Sequence, residues 1–278
     1  ARLEREARAI ARLRHPAIVT IHDIGRDGDG LPYLVMELLD GFDLGEMLIR
    51  VGRLPAVSAI QTMLPVLEAL DLAHSAEVIH RDLKPENVFI ADDGRGQRRP
   101  KLLDFGIAGI GAGSGLTAEV IGTPEYMAPE QLRLEAKVGP AADQWAAAMT
   151  IYTLVEGSPP FASESGETDL GVIFSRIREA PLPFPRSGAI DAGLFRVLAR
   201  ATRKEVGERF ESMAALAGAL RDWLRARGEE PRLSELPQPA GHDAVTRPEV
   251  ATPSSQETGV ALKDSGSLDD LIRKSLLG

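Results

Sequence analysis

A carboxylate, an ammonium and an amide fall within six positions of one another at Asp82, Lys84 and Asn87. They sit in Val78-Ile79-His80-Arg81-Asp82-Leu83-Lys84-Pro85-Glu86-Asn87-Val88-Phe89-Ile90, with apolar runs on either side. A second carboxylate, Asp104, follows 22 residues later in Lys101-Leu102-Leu103-Asp104-Phe105-Gly106. A carboxylate can take a proton from an attacking group within hydrogen-bond reach. Carboxylate and amide oxygens are hard ligands suited to Mg²⁺. Polar groups on a loop between two buried strands are held rigidly, as chemistry requires. The histidines His15, His22, His74 and His242 lack metal-ligand spacing and are read as structural or surface residues.

The elements that would position these groups follow from hydrophobic periodicity. Leu3, Ala7, Ile10 and Leu13 predict an amphipathic helix over residues 1–13, stopped at His15-Pro16. Residues 18–24 and 31–38 read as a hairpin around Arg26-Asp27-Gly28-Asp29-Gly30. Asp43 is placed to cap a short helix ending near Gly52. Pro55 opens a helix over residues 57–74, in which Pro65 predicts a kink. Residues 78–90 and 101–105 contain strand-type runs, and the turn over 91–100 looks longer and more basic than a tight hairpin needs. Residues 106–122 read as a loop, and 141–156, 170–179, 192–202 and 212–227 as helices. Strands first and helices after predict an α+β chain, a small mixed lobe on a larger helical one.

The chain has 278 residues, 44% apolar and 26% charged, with no cysteine and a net charge of −9. A thiolate site or disulfide scaffold is excluded. The acidic balance argues against a nucleic-acid partner. The longest uncharged apolar run, residues 145–155, is too short to span a bilayer. Residues 229–266 are proline-rich, lack aromatics and read as a disordered linker or tail. Residues 267–278 place Leu268, Leu271, Ile272 and Leu276 on one face of a short amphipathic helix.

His80-Arg81-Asp82-Leu83-Lys84-Pro85-Glu86-Asn87 is similar to the catalytic loop of protein kinases, Asp104-Phe105-Gly106 to their metal-binding triplet, and Ala128-Pro129-Glu130 to their activation-segment terminus. The wording resembles eukaryotic-like (Hanks-type) bacterial serine/threonine kinases, over roughly residues 1–227. The resemblance implies the two-lobed kinase fold, with residues 1–40 a remnant of the small lobe and hinge and 41–228 the large lobe. It implies ATP and Mg²⁺, protein substrates bearing Ser or Thr, autophosphorylation in trans, and a cytoplasmic setting with any membrane anchoring outside this chain. By position, Asp82 resembles the base, and Asn87 and Asp104 the metal ligands. Lys84 resembles the lysine that steadies the transferring phosphate, and Thr123 the residue reaching back to it. Met36, Glu37 and Leu39 look like gatekeeper and hinge, with Phe89 on the adenine face. Glu6 resembles the helix glutamate that pairs with the ATP-orienting lysine. His80, Arg81, Phe105, Gly106, Glu130, Asp143 and Arg209 take supporting roles, with Asp143 holding the catalytic-loop backbone and Arg209 pairing with Glu130. Arg81 needs a counter-charge, and Thr117, with Ser114 second, is the expected phosphosite that would supply it.

The glycine-rich phosphate loop and its strand lysine have no match here, so the chain is expected to be an N-terminally truncated piece of a larger kinase. Ala148 stands where the family usually has glycine and should cost little. A pseudokinase or docking module, and a small-molecule phosphotransferase of kinase-like fold, are the competing readings. The stretch Gly122–Glu130, similar to a peptide platform, favours protein substrates.

Overall fold

The computed structural model describes residues 9–28, 30, 32–92, 97–105, 124–133, 138–162, 170–230 and 236. Residues 9–12 are helical, the described part of the expected first helix. β1 (Ile21–Arg26) and β2 (Pro32–Met36) pair antiparallel with a bulge between Ile21 and Asp23. This hairpin is thinly covered, with Tyr33, Val35 and Met36 exposed.

A second, three-stranded antiparallel sheet has the order β3 (Gly41–Asp43), β4 (Val88–Asp92) and β5 (Arg98–Leu102). The short strand β3 has no alternating pattern of its own and escaped the sequence reading. Its entry depends on Gly41, at φ +142°, where a Cβ would lie 2.0 Å from the Ile90 carbonyl oxygen. The apolar run over 78–90 becomes strand only at Val88; Pro85–Asn87 is a turn of 3₁₀ helix. The expected strand over 101–105 is shifted back to Arg98, so Arg98 and Arg99 belong to the ladder, which closes with Asp92 opposite Arg98. The stretch over 91–100 therefore contributes residues 91–92 and 98–100 to the sheet. The Leu102 N–H donates to the Ala17 carbonyl and the Val19 N–H to that of Leu102, fastening the approach to β1 onto β5.

Helices form the larger part. α1 (Leu44–Val51) is capped by Asp43, whose Oδ1 accepts from the Glu46 N–H at 2.8 Å, and stops at Gly52 with φ +77°. α2 (Ala56–Ser75) runs through Pro65 without ending. Among the described residues it is the one helix long and apolar enough to cross a membrane. Here it packs against α3 (Pro140–Glu156) and α6 (Met213–Arg225), which explains why it is apolar on nearly all sides. Truncating a fully buried leucine such as Leu67 or Leu70 to alanine is expected to cost about 2–5 kcal/mol. Ala148 is fully buried within α3.

α4 (Leu170–Glu179) and α5 (Ala192–Ala201) complete the layer, α5 capped by Asp191 through the Gly193 and Leu194 N–H groups. Lys204 ties α4 to the core. Its Nζ donates to the Ile177 carbonyl at 2.6 Å and lies 4.7 and 4.9 Å from the ring centres of Trp145 and Phe161. Burial first, then the Arg209 guanidinium, pull its pKa down to about 8. Two positions read as the start of a linker are tied to the helical layer: the Glu230 carbonyl accepts from Gln61 Nε2 at 2.6 Å, and Leu236 joins the buried core.

Candidate active site

The loop between α2 and β4 carries Asp82, and it is fastened from three sides. Asp143, in the first turn of α3, is fully buried. Its Oδ1 accepts from the Arg81 N–H at 2.8 Å, and its Oδ2 from the His80 N–H at 2.9 Å and His74 Nε2 at 2.7 Å. A helix N-terminus favours a carboxylate there. The His80 ring forms the second fastening. Its Nδ1 accepts from the Asp82 N–H at 3.3 Å, so Nε2 carries the proton and donates to the Leu103 carbonyl at 2.8 Å. Burial lowers the His80 pKa despite the opposing pull of Asp143, the Leu103 carbonyl, Asp82 and Asp104, and the ring is held neutral. Phe105 packs against it, ring centres 4.9 Å apart. Gln131 is the third, its Nε2 donating to the Arg81 carbonyl at 2.9 Å while its Oε1 accepts from the Ala128 N–H.

These fastenings hold unusual backbone. Arg81 has φ +67° and Asp104 φ +43°, left-handed conformations that cost a non-glycine residue about 1–3 kcal/mol. The loop therefore keeps its shape because its neighbours impose it.

On this frame Asp82, Lys84 and Asn87 converge. Asn87 Nδ2 donates to the Asp82 carbonyl at 2.6 Å and to Asp82 Oδ2 at 3.1 Å. Lys84 Nζ lies 3.2 Å from the same Oδ2. The carboxylate is thus oriented through one oxygen, and its side chain stays 46% exposed. Both amide protons of Asn87 face Asp82, which leaves its Oδ1 to act as a ligand. The Leu103 N–H donates to the Asn87 carbonyl at 2.9 Å, bringing the exposed Asp104 one residue beyond the Asn87 backbone. One amide oxygen and one carboxylate, both hard donors, fit Mg²⁺.

At the end of β2 the chain turns through Met36, Glu37 and Leu39. Met36 is 41% exposed, not the buried strand residue its apolar run suggests, because few of the described residues cover the hairpin. The Glu37 N–H donates to the Thr20 carbonyl at 2.9 Å, and Glu37 Oε1 accepts from the Thr20 N–H at 2.7 Å and from Lys101 Nζ at 2.6 Å. Partial burial would raise the Glu37 pKa, but Lys101 and Thr20 outweigh it and hold it below the usual range. Phe89 sits half-buried on β4 directly across from Lys101.

Glu130 and Arg209 form a bidentate pair, both contacts 2.7 Å, with the Arg209 side chain fully buried. Arg209 also donates to the Ala141 and Arg203 carbonyls at 2.7 and 2.8 Å. Arg81 is half-buried, and its Nε has no hydrogen-bond partner among the described residues. Glu6, Gly106, Ser114, Thr117 and Thr123 lie outside the described residues. Four supporting contacts carry no signal in the sequence: His74 under Asp143, Gln131 under Arg81, the Leu103 carbonyl under His80, and Lys101 under Glu37. A lone histidine, glutamine or strand lysine carries no spacing signal, so only the folded chain reveals them.

Residues 1–217 match the family model described as protein kinase domain. The chain is 34% identical over 263 residues to the serine/threonine-protein kinase PknL of Mycobacterium tuberculosis, covering 92% of this chain and 62% of that protein. It is 34% identical over 238 residues to the serine/threonine-protein kinase PknB of the same organism, covering 83% of this chain and 36% of PknB. The chain thus spans less than two thirds of the length of these curated relatives. Its structure resembles the crystal structure of a double mutant of the PknI kinase domain of Mycobacterium tuberculosis, with a TM-score of 0.61 at 32% identity, covering 80% of this chain and 77% of that one.

Proposed function

The chain belongs to the protein kinase family, and we propose that it transfers the γ-phosphoryl group of MgATP to serine or threonine hydroxyls of proteins. The observation that carries this reading is Asp82: a carboxylate oriented through Oδ2 by Asn87 and Lys84, on a loop whose backbone Asp143 pins. In the proposed reaction Asp82 Oδ1 accepts a hydrogen bond from the substrate hydroxyl and takes its proton as the new oxygen–phosphorus bond forms and the bond to the bridging oxygen of ADP breaks. Lys84 offsets negative charge on the transferring group. Asn87 Oδ1 and the Asp104 carboxylate would hold Mg²⁺, which neutralises phosphate charge when bound. The Glu37 carbonyl and the Leu39 N–H would meet the adenine edge, and Phe89 its face. Glu6, Thr123 and the phosphosite Thr117 belong to the same proposal, with autophosphorylation in trans and a cytoplasmic catalytic face where ATP is abundant.

The test is Asp82→Asn in the full protein, with labelled MgATP and a Ser/Thr peptide library. We expect turnover to fall by about 10²–10⁴-fold with nucleotide Kd within threefold of the parent. Near-normal turnover in the variant refutes the reading. A parent protein that binds MgATP tightly and transfers nothing to any peptide establishes the docking-module alternative instead.

A further inference from the structure

Three segments distant in sequence meet at one carboxylate. Glu37 Oε1 accepts both the Thr20 N–H at 2.7 Å, from the segment leading into β1, and Lys101 Nζ at 2.6 Å, from β5. The Glu37 N–H returns the bond to Thr20 at 2.9 Å, so the first residue after β2 is locked to Thr20 at both backbone and side chain. Lys101 reaches it across 64 residues of sequence, and neither member is fully buried: the side chains are 25% and 16% exposed. Lys101 stands opposite Phe89 in the β4–β5 ladder. The segment holding Thr20 is itself fastened to β5 through Ala17, Val19 and Leu102. The lysine ammonium is therefore a strut between the sheet that supplies Phe89 and the turn that supplies the Glu37 carbonyl and Leu39 N–H.

We propose that Lys101 is a positioning residue for the nucleotide base, acting through the Glu37 carboxylate to set the spacing between the hinge backbone and the Phe89 face. The inference rests on the proposed kinase reading, because it presupposes that a purine occupies that gap. A charge-assisted bond of this length is among the stronger polar contacts. Without it, Glu37 keeps only its two bonds to Thr20, and the hinge is held to β4 and β5 by backbone bonds alone, with no side-chain strut to fix its spacing from Phe89. Base binding weakens while the chemistry at Asp82, on a differently anchored loop, is spared.

The experiment is Lys101→Met and Glu37→Gln, singly and together, in the full protein. Nucleotide affinity is read with adenosine and with MgATP, alongside KM for ATP, kcat and the thermal midpoint. Each single variant is expected to weaken adenosine and MgATP by the same factor, about tenfold, and to raise KM equally with kcat within twofold. The double variant should be no worse than either single one. Unchanged adenosine affinity in Lys101→Met overturns the proposal. So does a loss confined to MgATP, or a fall in kcat matching a fall in thermal midpoint, which is what a merely structural pair would give. A parent protein that binds MgATP but transfers no phosphate refutes the proposed function alone. One that binds neither adenosine nor MgATP refutes both.

Discussion

Replacing Asp143 by asparagine tests the claim that tertiary contacts hold the catalytic loop in a conformation it would not adopt alone. Asp143 supplies two oxygens to three donors: Oδ1 to the Arg81 N–H, Oδ2 to the His80 N–H and His74 Nε2. Asparagine supplies one oxygen and one amide NH2. If the oxygen stays with His80 and His74, the amide NH2 faces the Arg81 N–H, donor against donor. One charge-assisted bond is lost, about 1.5–3 kcal/mol, and an N–H is left unpaired, about 1–3 kcal/mol. Asp143 itself is fully buried, so the replaced carboxylate has no water of its own to turn to. The expected destabilisation is about 3–5 kcal/mol by urea denaturation, or about 2–4 °C of thermal midpoint for each kcal/mol in a domain of this size. Function should suffer separately. The lost bond is the one holding Arg81 at φ +67°, next to Asp82. Relaxation there misplaces the carboxylate, and a displacement near 1 Å costs about 10²-fold in kcat. Nucleotide affinity should hold, since the hinge at Glu37 is anchored elsewhere. A variant that loses less than about 1 kcal/mol and keeps kcat within threefold would refute the reasoning, because the loop would then be shaped by its own sequence.

Further outcomes follow from the same physics. Arg209→Met leaves Glu130 buried without its bidentate partner and should cost about 3–5 kcal/mol in urea denaturation, with Glu130→Leu/Arg209→Met recovering at least half of it. The lowered folded-state pKa of His80 means that, below its ordinary value of 6.5, the unfolded chain binds the proton more readily than the folded one. Its contribution to stability is therefore complete above pH 6.5 and is lost as the pH falls below it. A series of urea midpoints from pH 8 to 5 should show that loss, with a shallower slope in His80→Gln.

The convergence of the candidate site's polar groups was largely legible in the sequence because those groups are close together in the chain. Asp82, Lys84 and Asn87 act on one another within a single turn, so their spacing is itself the geometry: Asn87 reaches both the carbonyl and the carboxylate of Asp82 across only five positions. Helix limits were legible for the same reason, since a cap such as Asp43 or Ser212 acts on N–H groups three residues away. Strand β3 was not, because three residues become a strand only when β4 arrives beside them and Gly41 allows the approach.

The identity of the convergent polar groups and their local order were thus determined by sequence alone. Their rigid placement was decided by the tertiary structure. Asp143 and Arg81 are 62 positions apart, Gln131 and Arg81 50, Lys101 and Glu37 64. No periodicity records such pairings, because nothing in a chain's local conformation depends on which distant residue will face it. Arg81 takes up φ +67°, and Glu37 finds its ammonium, only once the core has closed around α2 and α3 and brought those partners within hydrogen-bond reach.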